Sequence, residues 1–221
     1  MNADDIAAAL RRKVLSLSDY EITTSLEEIH SIALESGLLN EESLQEQFKA
    51  SFTFENNHLK LVDPSFDERL AQILADFLRK KLLAEKKKFS FETVFSHESK
   101  LDIMRKAAEQ GYKVYLYFVS TEDYQINQFR VENRVKQGGH DVPVDKIKSR
   151  YDRSLGLLHE AAQLTYQTFF FDNSVDRDTD SFEPFLSFKV ENGRKVWSNS
   201  DPDPNNLPLW FIKYYLNQIQ E

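Results

Sequence analysis

One stretch of the sequence, residues 112–120, is almost entirely apolar and aromatic, and it constrains the fold more than any other. Such a run is typical of a parallel β-strand that is buried on both faces of a sheet. Two long helical patterns follow, at about residues 121–137 and 144–165, before a second apolar strand at residues 168–171. Because parallel strands need a crossover connection, this order predicts an α/β fold with an open parallel sheet.

Other elements extend this pattern on the N-terminal side. Residues 3–15 carry acids at their start and bases at their end, which favours a helix. From Pro64 onward, apolar residues recur at the 3.6-residue spacing of a long buried helix. We expect a short strand at residues 88–93 and a further helix at residues 99–110 that ends at Gly111.

Two segments do not follow the α/β alternation. Residues 18–63 combine two helical patterns with a hairpin signal around Glu55-Asn-Asn-His, because Asn tolerates the positive φ of tight turns. Residues 175–221 begin with acidic residues and continue with a hairpin that turns at Asn192-Gly193 and a final amphipathic helix. We therefore predict a core at residues 1–17 and 64–174, an α+β insertion at 18–63, and a C-terminal hairpin and helix at 175–221.

Composition excludes several classes of protein. The 221 residues include no Cys, which rules out disulfides, thiolate metal sites and cysteine nucleophiles. The five His show no metal-binding spacing, so no metal site is predicted. A net charge of -8 disfavours nucleic acid as a partner, because generic binding needs a basic surface. The N-terminus is not signal-like and no apolar run is long enough for a membrane span, so we expect a cytoplasmic protein without membrane contact.

Polar clusters lie where predicted strands or loops meet helices. They are residues 2–5, residues 92–97 and residues 172–174. Ligands of open α/β sheets bind beyond the carboxyl ends of the strands, so each cluster is a candidate site. Each also has a structural alternative, in which its side chains only cap a helix or form an Asx-turn. The residues concerned are Asp4 or Asp5, Ser96, and Asn173.

A fourth cluster is rich in arginine. Arg130 and Arg134 lie four residues apart and therefore share a helix face, as do Arg150 and Arg153 at a spacing of three. The turn Gly138-Gly139-His140 separates the two helices. Two arginine faces joined by a flexible turn predict a lid over phosphates, because guanidinium groups bind phosphate oxygens in a bidentate manner. The alternative is two solvated helix faces with local ion pairs to Glu132 and Asp152.

Four stretches together resemble the zeta-toxin-like family of P-loop ATPases and kinases. They are FSFETVFSH, AAEQGYKVYLYFV, RVENRVKQGGHDVPVDKIKSRYDRSL and FFFDNS. The most specific part is the spaced string R-V-x-x-R-V-x-x-G-G-H-x-V-P with R-Y-x-R-S after it. The start, MNADDIA, resembles the end of the family's second strand. The resemblance covers residues 1–15 and 64–174.

The resemblance implies a P-loop NTPase-like parallel sheet flanked by helices. It also implies transfer of the γ-phosphoryl group of ATP or GTP, with Mg²⁺, to a small-molecule hydroxyl substrate such as a nucleotide sugar. An antitoxin protein is an implied partner. Carried over by position, Asp4 accepts the proton of the substrate hydroxyl. Two further groups correspond to family elements. Glu92, Thr93 and Ser96 fall in the substrate-binding segment, while Arg130, Arg134, His140, Arg150 and Arg153 fall in the lid.

The sequence departs from the family in one respect. None of its six glycines belongs to a GxxxxGK[ST] motif, the loop whose backbone amides and lysine hold the phosphates. We expect the encoded protein to extend upstream of Met1 and to supply that loop there. The predicted function is a nucleoside-triphosphate-dependent small-molecule kinase or ATPase that is truncated and inactive in this form. The alternative is a non-catalytic binding or regulatory protein derived from the same fold, with the insertion as a partner surface.

Overall fold

A computed structural model describes residues 2–12, 14–175 and 183–219. The contacts divide the chain into two compact units, Met1–Thr93 and Val94–Glu221, here called unit 1 and unit 2. Both units combine helices with a sheet, so the protein is of the mixed α/β class. The first helix and residues 18–63 belong to the same unit, whereas the sequence-based division assigns them to a core and an insertion.

Unit 1 contains four α-helices, two short 3-10 helices (Leu17–Tyr20 and Pro64–Phe66) and three short strands among its described residues. The elements are α1 (Ala3–Arg12), β1 (Leu15–Ser16), α2 (Leu26–Leu34), α3 (Glu42–Ala50), β2 (Phe52–Glu55), β3 (His58–Leu61) and α4 (Asp67–Ala84). The strands form an antiparallel sheet in the order β1-β3-β2. The predicted hairpin is confirmed, and Asn56 and Asn57 have φ values of 50° and 63° at its turn.

Helix α4 is the centre of unit 1. Its apolar stripe is buried as the periodicity predicts, and α1 packs along it through Ile6 and Leu10. The Arg11 guanidinium forms an ion pair with Asp67 at the start of α4. Near the other end of α4, the Lys81 ammonium group lies 2.6 Å from the Glu28 carboxylate of α2. Burial of the apolar stripe supplies most of the stabilisation, because partly exposed ion pairs contribute little.

His30 on α2 makes the stability of unit 1 sensitive to pH. Its ring packs edge-on against Phe48 and Phe52, at centroid distances of 5.6 and 6.1 Å, and the described residues offer its Nε2 atom no hydrogen-bond partner. Burial, and secondarily Lys49, lowers the pKa of His30 below its ordinary value. The unfolded chain therefore binds more protons, so stability is lost as pH falls through 6.5 toward the folded pKa.

We expect the amides of α2 to exchange faster, after correction for intrinsic rates, at pH 5.5 than at pH 7.5. His30→Gln removes the titrating group and is expected to flatten this difference. An equally large pH effect in His30→Gln would contradict the assignment.

Unit 2 is built on a four-stranded sheet in the order β4-β5-β6-β7. Its described elements are α5 (Ser99–Glu109), β4 (Tyr115–Ser120), α6 (Tyr124–Lys136), α7 (Val144–Gly156), α8 (Leu158–Gln163), β5 (Gln167–Asp172), β6 (Leu186–Glu191), β7 (Arg194–Trp197), and α9 (Leu209–Phe211), which continues as a π-helical segment (Ile212–Leu216) and α10 (Asn217–Ile219).

The sheet is mixed, so a P-loop-like parallel sheet is not confirmed. Strands β4 and β5 are parallel and are joined by the helical crossover α6–α8, as the sequence predicts. Strand β6 is antiparallel to β5, and β7 is antiparallel to β6. The turn between β6 and β7 has φ values of 50° at Asn192 and 75° at Gly193, which suits a two-residue hairpin and forces the antiparallel arrangement.

The prediction that β4 is buried on both faces is wrong. Phe118 points into the core, whereas Tyr115, Tyr117 and Val119 are 49%, 62% and 50% exposed. Among the described residues of unit 2, α5, α7, α8 and the C-terminal helical segment contribute side chains to the core that contains Phe118. A continuous apolar run thus occurs in a strand with one open face.

The predicted strand at residues 88–93 is also wrong. No regular structure is assigned to this segment, which pairs with none of the strands that the structure describes. Phe89 instead packs against the core of unit 1 and stacks with Phe91 at a centroid distance of 6.3 Å. The Arg79 guanidinium lies 5.2 Å from the Phe91 ring centroid. Aromatic contacts therefore help to hold this segment.

Candidate functional site

An open cavity lies beyond the carboxyl ends of the parallel strands β4 and β5. It is a shallow depression, largely open to solvent, with a volume of about 400 Å³. The lining residues are Gln125, Ile126, Phe129, Arg130 and Ser174. The first four form one face of α6, and Ser174 follows β5. Ligands of α/β sheets bind at such strand ends, which makes this cavity the candidate site.

The start of α6 is fixed by a set of local hydrogen bonds. The Asp123 side chain caps the helix and accepts a hydrogen bond of 2.8 Å from the backbone N–H of Gln125. The Thr121 hydroxyl donates to the Asp123 carbonyl at 3.0 Å and accepts from the Asn127 amide at 3.0 Å. These contacts hold the cavity face of α6 in a fixed orientation at the end of β4.

Helix α7 is tied to the same place through Tyr151. Its hydroxyl group lies 2.8 Å from the Thr121 carbonyl and 3.0 Å from the Glu122 carbonyl, and donates toward both. Burial, reinforced by the charge of Asp123, raises the pKa of Tyr151 far above its ordinary value. Tyr151 therefore remains a protonated donor at any physiological pH, and α6 and α7 are anchored together at the cavity.

Ser174 is held in the cavity wall by two hydrogen bonds. Its hydroxyl group donates to Asp172 Oδ1 at 2.7 Å and accepts from the backbone N–H of Glu122 at 2.8 Å. Asp172 Oδ1 also accepts from Trp210 Nε1 at 3.2 Å, and Glu122 Oε1 accepts from the Leu209 N–H at 2.9 Å. The C-terminal helical segment thus contacts both residues that hold Ser174 in the cavity wall.

The predicted lid arginines differ in their surroundings. Of the four, only Arg130 is among the residues that line the cavity. Arg134 donates from Nη2 to the His140 carbonyl at 2.8 Å and so closes the turn after α6. Arg150 is half-buried on α7, and Arg153 is exposed in its last turn. The shared helix face of Arg130 and Arg134 is confirmed, but their contacts are different.

Gly138 and Gly139 have separate roles in that turn. Gly138 has a φ of 86°, a conformation that favours glycine. The N–H of Gly139 donates to the Arg134 carbonyl at 2.9 Å. A Cβ atom on Gly139 would lie 2.4 Å from Arg134 Cγ and 2.9 Å from the Arg134 carbonyl oxygen. The Arg134-Gly139-His140 combination is therefore a packed turn in addition to a candidate lid.

The remaining predicted residues lie in exposed or loop positions. Asp4 is exposed in the first turn of α1, where Asn2 Oδ1, and not Asp4, accepts the capping bond of 3.0 Å from the Asp4 N–H. Glu92 and Thr93 end unit 1, and Ser96 precedes α5, whose N-cap residue is Glu98. Because Asp4, Glu92 and Thr93 belong to unit 1 and the others to unit 2, their convergence in one site stays a prediction.

The fit to the implied cofactors is partial. Arg130 and Gln125 carry N–H donors that are suited to phosphate oxygens, whereas the Ser174 hydroxyl already donates its proton to Asp172. The sequence has no GxxxxGK[ST] loop for a triphosphate, and within the described ranges no three His, Asp or Glu side chains are grouped to hold a metal ion. Of the implied ligands, these residues fit the phosphate groups. No helix of the described part of the chain is long and apolar enough to span a membrane.

Comparison with known proteins identifies one short similarity. No family model matches the sequence, and no solved structure matches it. A curated protein of Haemophilus influenzae, described as uncharacterized, is 36% identical over 63 residues. The matched part is 28% of this chain and 45% of that protein, so the chain spans less than half of the relative's length.

Proposed function

We propose that unit 2 binds the phosphate groups of a small-molecule ligand at the carboxyl ends of β4 and β5, as the lid side of a zeta-toxin-type phosphotransferase. The observation that carries the proposal is the position of Arg130, which lines the cavity there together with Ser174. Its guanidinium provides charge and several donors, and the Gln125 amide adds further N–H donors beside it.

In this proposal the residues of unit 2 bind and orient phosphate and do not themselves form or break a bond. Arg130 neutralises charge on the equatorial oxygens of a phosphoryl group. Tyr151 and Asp123 keep the lid helices in register with the strand ends, since each bonds to the backbone near the start of α6. The roles of Asp4, Glu92, Thr93 and Ser96 on the acceptor side rest on the resemblance alone.

Replacement of Arg130 tests the proposal directly. We expect Arg130→Ala to weaken binding of inorganic tripolyphosphate about 10- to 100-fold, the loss usual for a hydrogen bond to a charged group. Arg153→Ala is the matched control, because it removes the same charge from the lid but lies outside the set of lining residues. Calorimetric titration at constant ionic strength measures both; equal effects of the two variants would refute the site.

An assay of phosphate release from ATP, and not the titration, separates the alternative function. A non-catalytic binding or regulatory protein derived from this fold is favoured by the absence of a GxxxxGK[ST] loop from the sequence. It is expected to bind phosphate ligands with the same dependence on Arg130 and to release no phosphate from ATP over hours. Measurable phosphate release that Arg130→Ala abolishes would exclude it.

A further inference from the structure

A half-buried lysine, Lys195, lies on the edge strand β7, which β5 and β6 separate from the candidate cavity's strand β4. Its ammonium group donates hydrogen bonds to Gln163 Oε1 at 2.9 Å and to the Tyr215 hydroxyl at 3.1 Å. The same group lies 4.6 Å from the ring centroid of Phe188 and 5.6 Å from that of Tyr215. Among the residues that the structure describes, these neighbours are uncharged, and no carboxylate pairs with Lys195.

These surroundings disfavour the positive charge of Lys195. Aromatic rings and neutral oxygens replace only part of the hydration that an exposed ammonium group has, so burial lowers the pKa of Lys195 below its ordinary value. His159 on α8 does not counter this effect, because burial and the charge of Lys195 lower its own pKa. At neutral pH, Lys195 is therefore a neutral amine more often than an exposed lysine is, and the neutral amine is the nucleophilic form.

Gln163 presents its carbonyl oxygen, and not its amide nitrogen, to Lys195. The Gln163 Nε2 atom lies 2.9 Å from His159 Nε2, which accepts a hydrogen bond from it. The opposite orientation of the amide would place its N–H groups against the ammonium donors of Lys195. Gln163 is itself exposed and Lys195 is only half-buried, so a small reagent can approach the amine from solvent.

We propose that Lys195 is an acyl acceptor that small acyl thioesters modify at Nζ. The nitrogen of the neutral amine attacks the thioester carbonyl carbon and the C–S bond breaks. The thiolate leaves and takes up the amine proton, which gives an amide and a free thiol. Thioesters acylate neutral amines and not ammonium groups, so the reaction selects a lysine with a large neutral fraction.

The contacts of Lys195 also suit the acylated product. The remaining N–H of the new amide can donate to Gln163 Oε1, as the ammonium group does. Burial raises the pKa of Tyr215, so its hydroxyl group stays protonated and can donate to the acyl oxygen. Acylation also removes a charge from a half-buried position and with it the cost of desolvating that charge.

The test is acetylation of the full chain by S-acetyl-N-acetylcysteamine, a small thioester, with mass spectrometry to measure the initial rate at each lysine. Lys213 is the internal reference, because it is exposed and its ammonium group also lies over a tyrosine ring, 4.7 Å from the centroid of Tyr214. We expect Lys195 to react severalfold faster than Lys213 at pH 7.5. The difference is expected to shrink toward pH ~10, where exposed lysines also become neutral.

Gln163→Glu tests the surroundings of the amine. It places a carboxylate of similar size beside Nζ, which favours the ammonium form, so acetylation of Lys195 at pH 7.5 is expected to slow about tenfold. Gln110→Glu is the matched control, because it adds the same charge at the exposed C-cap of α5, and it is expected to leave the rate at Lys195 unchanged.

Two results would overturn the proposal. One is a rate at Lys195 of the wild-type chain that does not exceed the rate at Lys213. The other is a rate at Lys195 that Gln163→Glu leaves unchanged. Thermal melting shows whether each variant folds, and the comparison of Lys195 with Lys213 in the wild-type chain decides the matter if Gln163→Glu does not.

Discussion

Phe170→Ala is expected to destabilise unit 2 by about 3–5 kcal/mol, the usual cost of removing a fully buried phenylalanine. Phe170 lies at the centre of the interior strand β5 and is 0% exposed. Its ring centroid is 4.8 Å from that of Phe211, 5.0 Å from Tyr215 and 6.3 Å from Trp197. Since small domains have a total stability of ~5–15 kcal/mol, the loss is a large fraction of the whole.

Denaturation followed by tryptophan fluorescence measures this loss, because both tryptophans, Trp197 and Trp210, belong to unit 2. Tyr117→Ala is the matched control: it removes an aromatic ring of similar size from the neighbouring strand, on the open face of the sheet where Tyr117 is 62% exposed. The control is expected to cost less than about 1 kcal/mol. Equal costs at the two positions would mean that the Tyr117 face is covered in solution.

Local patterns predict local structure well in this chain. The two hairpin turns are confirmed at Asn56-Asn57 and Asn192-Gly193, because their conformations depend on the turn residues themselves. The stripe of α4 and the helical crossover between the parallel strands β4 and β5 are confirmed for a similar reason, since periodicity and element order determine them.

The open face of β4 is not predictable in this way. An apolar run such as residues 112–120 indicates which residues favour burial. It does not indicate which helices or strands pack against them. Residues 88–93 have the composition of a strand, yet no strand is assigned to them and they belong to neither sheet. Burial and strand pairing are properties of the tertiary arrangement, and single-sequence patterns do not contain them.

In the candidate site, too, the sequence predicts local structure but not tertiary contacts. Helical spacing correctly puts Arg130 and Arg134 on one face of α6, yet only Arg130 lines the cavity. Arg134 donates to the His140 carbonyl and lies against Gly139, contacts that no periodicity reveals. Phe129 and Tyr151 were not among the predicted site residues. The available signals were an aromatic residue beside Arg130 and a tyrosine beside Arg150 in the lid string.

Gly139→Ala is expected to open the turn between α6 and α7. The new Cβ atom would approach Arg134 Cγ to 2.4 Å and the Arg134 carbonyl oxygen to 2.9 Å, and neither distance is tolerated without movement. Arg134 then gives up its hydrogen bond to the His140 carbonyl, and the backbone at the end of α6 shifts. Overpacking of this kind costs about 1–3 kcal/mol locally. Hydrogen exchange of residues 134–140 measures it as faster exchange.

Two further variants make the result specific to this contact. Gly156→Ala is the matched control, because Gly156 lies in α7 with no atom within 4 Å of an added Cβ, and alanine is the better helix former. Hydrogen exchange of residues 134–140 in Gly156→Ala is expected to be unchanged or slower than in the wild-type chain. Arg134→Ala removes the Cγ atom, so Gly139→Ala is expected to cost less in that background, although the contact with the carbonyl oxygen remains. Additive effects of the two substitutions would show that the side chain of Arg134 is not what requires glycine at this position.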